Sequence, residues 1–203
     1  MKSLATLATA LLLAVSTPAG AQQKPGVADP SRISGGIYDV DANHAQVIWT
    51  VDHLGFTPLS GMFGRISGTL TIDPKAPDDA KLDITIAIAG LAVTTASFGE
   101  HLASASFFDR DKFPTARFVS TRVKTDGTKA TIEGELTLHG VTRPVVLEAS
   151  FIGAGYNPNH KVDNVGFVAT ATIKRSEFGL GEGAPLISDE VELRIIGAFR
   201  KQP

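Results

Sequence analysis

Five histidines, at positions 44, 53, 101, 139 and 160, are the residues of this 203-residue chain best suited to proton transfer or metal binding. Their spacing favours neither. No His-x-x-x-His or Glu-x-x-His pair occurs, and no cysteine is present to complete a zinc set. Ser60, in the run Leu59-Ser60-Gly61-Met62-Phe63-Gly64, lacks the Gly-x-Ser-x-Gly frame of an exposed nucleophile. Neither a Walker loop nor a dinucleotide-type glycine motif appears. A net charge of −2, with no basic run interleaved with aromatics, points away from nucleic acid. The sequence therefore assigns no catalytic residue, no metal ligand and no cofactor. His53 stands apart, because the alternation Val47, Trp49, Val51 continues into it and aims it inward. A hydrogen-bonded histidine at a strand end is the simpler role for it, and contact with a ligand the more specific one. What the chain does hold in quantity is apolar: branched aliphatics and eleven phenylalanines. If its elements enclose a space, the natural guest is an apolar molecule.

The elements that would enclose it are strands. From Thr131 to Phe151, Ile132, Gly134, Leu136 and Leu138 alternate with polar residues. After His139-Gly140 the alternation resumes at Val145, Leu147, Ala149 and Phe151, which predicts a long hairpin. Pro144, without an amide hydrogen, belongs at the start of the second strand or at an edge. The same period runs through Tyr38 to Val51, Leu82 to Ile88, Val165 to Ile173 and Val191 to Phe199. Gly64 to Ile72 and Ala116 to Lys124 lie between turn signals at Asp73-Pro74 and Asp126-Gly127. No helical periods alternate with these strands. The fold class is all-β, an extended eight-stranded antiparallel barrel, although a Greek-key sandwich would give much the same alternation. One segment departs from it: in residues 95–111, Phe98, Leu102 and Ala105 or Ser106 recur at helical spacing, followed by Phe107 and Phe108. That predicts a short amphipathic helix, serving as a lid over a barrel mouth or as a plug for one end.

At the N-terminus, Lys2 precedes an apolar run from Leu4 to Val15, then Pro18 and the small residues Ala19-Gly20-Ala21. This pattern predicts a secretory signal over residues 1–21, cleaved before Gln22. Residues 22–36 read as a flexible leader and 37–203 as the barrel domain. Export to the periplasm follows, and without cysteine the fold must be held by packing alone.

Dispersed over Tyr38 to Phe199, the residues resemble the YceI-like family of secreted, polyisoprenoid-binding, lipocalin-like barrels. The resemblance rests on Tyr38-Asp39-Val40-Asp41 with His44; Val51 with His53-Leu54-Gly55; Gly61, Phe63 and Gly68; and His101-Leu102 leading to Phe107-Phe108-Asp109. It continues through Phe113-Pro114 with Phe118 and Ser120, the run Gly134 to Pro144, Arg175-Ser176-Glu177-Phe178-Gly179, and Ser188-Asp189-Glu190-Val191. It implies an eight-stranded barrel whose pore holds a long isoprenoid or fatty chain, in a periplasmic carrier or storage protein and not a catalyst. Where many members carry Arg-Asp before the His-Leu pair, this chain has Phe98-Gly99.

The residues assigned to lipid contact are Trp49, Val51, His53, Phe63, Ile86, Phe98, Leu102, Phe107, Phe108, Phe118, Leu136, Phe167, Phe178 and Leu193. Arg65, Lys112, Arg117 and Arg175 are the candidates for meeting an anionic headgroup. The expected function is binding, storage or transport of a polyisoprenoid, isoprenoid quinone or fatty-acid derivative. A solid barrel acting through its loops, with a long hairpin loop from Gly153 to Val162, is the alternative, and a hydrolase-type enzyme centred on His53 and His101 is a third. A homodimer is compatible with strands of this length.

Overall fold

A computed structural model describes residues 24–203; the signal expected over residues 1–21 lies outside them. The strands are β1 (Gly36–Val40), β2 (Gln46–His53), β3 (Thr57–Phe63), β4 (Ile66–Ile72), β5 (Lys81–Ala87), β6 (Leu91–Ala92) and β7 (Thr115–Asp126). They continue with β8 (Lys129–Leu138), β9 (Val141–Asn157), β10 (Val162–Lys174) and β11 (Glu190–Lys201), and the helix α1 spans Ala96–Ala103. β1 and β2 are two halves of one bent stave, since both pair with β11. β3 and β4 form the next, pairing with β2 and β1 respectively. β5 and β6 make the third. Five single strands complete an antiparallel meander that returns to its start, with Val40 opposite Phe199 and Trp49 opposite Leu193. The result is a closed eight-stranded barrel, in which no edge of the sheet is left for most of its length.

Two expectations about boundaries are corrected. β9 runs on to Asn157, so the long loop expected from Gly153 shrinks to residues 158–161. Helix α1 stops at Ala103, short of Ala105 and Ser106. Thr95 starts it by accepting the Phe98 amide at 3.2 Å, and Ser104 follows in extended geometry. β9 also outruns its neighbour β8, whose pairing ends at Ser150. Residues of the leader cover the exposed edge. Val27 exchanges backbone bonds with Ala154 at 3.1 and 3.0 Å, and a Cβ on Gly155 would collide with the Pro25 carbonyl.

Each barrel end is covered by its own device. At one end the short 3-10 turn Pro77–Asp79 lies across the opening, and Asp78 Oδ1 accepts both the amide and the hydroxyl of Thr125, at 2.8 and 2.6 Å. Those bonds hold the Asp78 carboxyl below its ordinary value of 3.8. At the other end, α1 and the segment 175–189 cover the rim. Arg175, 8% exposed, organises that segment: its Nε donates to the Ser188 carbonyl, Nη1 to Leu180 and Glu182, and Nη2 to Ile187. One planar fork thus fixes a loop that, beyond the 3-10 turn Arg175–Phe178, has no periodic structure of its own.

Arg175→Ala leaves the buried Leu180 carbonyl and its half-buried neighbours without their donor and is expected to lower unfolding stability in urea by about 1–3 kcal/mol. Arg175→Lys should recover little of it, because an ammonium cannot span the fork; a loss below about 1 kcal/mol in either variant would refute the organising role. For the opposite end, the lowered Asp78 pKa means that its contribution is present above pH 3.8 and lost as pH falls through the folded value. Wild type and Asp78→Asn should therefore differ in stability at neutral pH and converge in strong acid, whereas a difference constant with pH would count against the capping bonds.

Candidate functional site

Period-2 alternation sends one face of every stave into the lumen, and there the side chains enclose a cavity of about 450 Å³. An eight-stranded barrel is just wide enough for side chains to fill, so an open lumen needs a reason. Part of it is small residues on the wall: Ala116, Ala149, Ala169 and Gly197. The rest is how the largest rings are stowed. Trp49 stands opposite Gly61, where a Cβ would collide with its indole. Phe118 lies against Gly134 in the same way. Each ring thus takes the room that a side chain on the adjoining strand would have filled. The indole N–H of Trp49 is buried there without an acceptor.

Trp49, Val51, His53, Phe63, Ile86, Phe98, Leu102, Phe107, Phe108, Phe118, Leu136, Phe167 and Leu193 all line this cavity. Phe178 does not. It is 1% exposed in the 3-10 turn Arg175–Phe178, beside the lumen, where its carbonyl meets His139 Nδ1 at 3.1 Å. Lining residues that sequence reasoning did not single out fall into two kinds. Val47, Ile132, Val145 and Leu147 follow from strand parity, whereas Leu180 and Ile187 come from the aperiodic loop that Arg175 holds.

The lid is built as an aromatic cluster. Phe98 and Leu102, four apart on α1, face the cavity, Phe108 packs edge-on to Phe63 at 5.4 Å, and Phe107 packs against His101 at 4.9 Å. His101 is exposed yet lines the cavity, so the lumen reaches the surface beside α1. Across the mouth, His53 and Ile187 bridge their backbones, and both side chains line the opening.

The four cations considered for a headgroup do not converge. Arg117 forms a two-bond pair with Asp83 at 2.8 and 2.6 Å on the outer surface, Lys112 sits 5.1 Å above the Phe113 ring, and Arg65 is exposed. Arg175 does line the cavity, but its donors are turned to its own loop. The remaining histidines lie elsewhere. His44 Nδ1 lies 2.8 Å from the buried Asp41 carboxylate, with His160 and Arg200 further out. Burial would raise the Asp41 pKa, but the hydrogen bond and charge of His44, with Arg200, hold it below its ordinary value. Among the described residues, no cluster of histidine and carboxylate suits a metal ion, and no helix is long and apolar enough to cross a membrane.

This geometry can be set beside known proteins. Protein YceI of Escherichia coli O157:H7 is 40% identical over 157 residues, 77% of this chain and 82% of the relative. The crystal structure of a Campylobacter jejuni YCEI protein superposes with a TM-score of 0.67 at 28% identity, over 75% of this chain and 90% of that one. A polyisoprenoid binding domain from Saccharophagus degradans shares the fold at 12% identity, with a TM-score of 0.57 over 83% of this chain and all of that domain. The YceI-like domain model matches residues 38–199, which run from within β1 to within β11 and so take in nearly all of the barrel, and the chain belongs to the YceI-like family.

Proposed function

We propose that the chain binds a long apolar lipid in the barrel lumen and carries or stores it in the periplasm, without catalysing a reaction. The observation that carries this reading is the lumen itself: an apolar cavity of about 450 Å³ inside a barrel that side chains could have filled. The description of the Saccharophagus domain as polyisoprenoid-binding supports the same class of guest. Each methylene taken from water contributes about 0.8 kcal/mol, so a chain of a few isoprene units supplies ample affinity without any charged contact. A polyisoprenoid, an isoprenoid quinone or a fatty-acid derivative fits, with a neutral polar end favoured because Arg175, the one lysine or arginine on the wall among the described residues, is engaged by backbone carbonyls.

The competing readings find less support. A barrel packed solid does not match the observed cavity. A hydrolase would need polar groups gathered around His53 and His101, but Phe98 and Phe107 flank His101, and Ile187 faces His53.

Native mass spectrometry of protein taken from the host's periplasm is expected to show a stoichiometric lipid adduct that solvent extraction releases. Ala149→Phe and Ala169→Phe place rings in the open lumen; the adduct should disappear while circular dichroism still reports the barrel. A wild-type protein that stays free of lipid after incubation with prenyl alcohols and quinones would sink the reading.

A further inference from the structure

Three exposed large apolar side chains sit together at the cavity mouth, and two of them, Phe56 and Leu186, are the most exposed of their kind among the described residues. Phe56 is 84% exposed, Leu186 67% and Leu54 45%. Two loops present them, and the loops are locked to each other. The Leu54 amide donates to the Leu186 carbonyl at 2.8 Å, the Ser188 amide to the Asp52 carbonyl at 3.0 Å, and His53 bridges Ile187. Leu54 adopts φ 62° in the turn, a conformation that a leucine rarely takes, and Gly55 follows at φ 69°. The backbone thus holds an apolar side chain out in water where a polar residue or glycine would suit the turn better. His53 and Ile187, each next in sequence to a tip residue, line the lumen, so the tip is continuous with the cavity wall.

We propose that Leu54, Phe56 and Leu186 insert into a zwitterionic lipid surface, so that a lipid passes between bilayer and lumen at the mouth beside His53 and Ile187. This rests on the lumen reading above and adds where and against what the cavity is loaded. Charge decides the kind of surface. Residues 51–60 and 179–190 contain Asp52, Glu182, Asp189 and Glu190 and no lysine or arginine, so nothing in these loops attracts an anionic membrane. Shape decides against a protein partner. Three side chains on a convex turn fall far short of the roughly 800 Å² that each partner of a stable complex buries, whereas insertion needs only that each side chain leave water.

The test is flotation of the lipid-free protein with phosphatidylcholine–phosphatidylethanolamine vesicles carrying a fluorescent geranylgeraniol, for wild type and for F56S/L186S. Both positions are exposed and neither lines the cavity, so the variant keeps the barrel and the lumen. Wild type is expected to float equally at low and high salt and to load from the vesicles. The variant should lose flotation and load about tenfold more slowly or worse, yet reach the same occupancy when the alcohol is supplied in detergent. Normal loading by a variant as fast as wild type, or wild-type flotation that requires anionic lipid and vanishes with salt, overturns this proposal and leaves the lumen reading intact. So does sedimentation showing a wild-type dimer that the variant dissolves, which would give the tip to a second copy. Flotation without loading, even from detergent, overturns the lumen reading and the transfer together.

Discussion

The open lumen depends on where the largest rings are stowed. Trp49 and Phe118 each pack so closely on a glycine of the adjoining strand, Gly61 and Gly134, that a Cβ there would collide with the ring. The remaining wall carries alanines and Gly197 at points where a leucine would close the space. Empty volume forfeits dispersion contacts, and a domain is stable by only a few kcal/mol in all. An arrangement that leaves such a space, and buries the Trp49 N–H without an acceptor, is better suited to accepting a guest than to maximal stability.

The two ends of that space are built on different physics. One is shut by a charge-assisted clamp, Asp78 on Thr125, which holds a short turn across the opening. The other is narrowed by aromatic packing on α1 and by a loop whose shape is dictated from within by Arg175. Aromatic contacts slide and reform at little cost, whereas a fork donating to backbone carbonyls does not. The Arg175 loop is therefore the more firmly fixed side of the mouth.

Most of the barrel was legible because its staves keep strict period 2, and Trp49, Val51, Leu136 and Leu193 land on the lumen face where parity places them. β3 was not, because Pro58, Ser60 and Gly61 interrupt the apolar alternation that marks its neighbours. Phe178 was assigned to the lumen from a segment that is a 3-10 turn, where parity carries no information. Arg175 read as a headgroup cation for the same reason: a charge count cannot show that its partners are backbone carbonyls. The part played by Gly61 and Gly134 was invisible too, since a glycine becomes a seat for a ring only once strand register sets it beside one.

The same register bears on which end of a ligand goes in first. A charged headgroup drawn deep into the lumen would leave water for a wall of aliphatic and aromatic carbon, and Arg175, whose donors are engaged, could not answer it without releasing its loop. Desolvating an unpaired ion costs several kcal/mol, more than the methylenes nearest it would return. The hydrocarbon tail carries no such penalty. For the lipid proposed above, entry tail-first with the polar end left in water at the mouth is the arrangement in which each part meets surroundings of its own polarity.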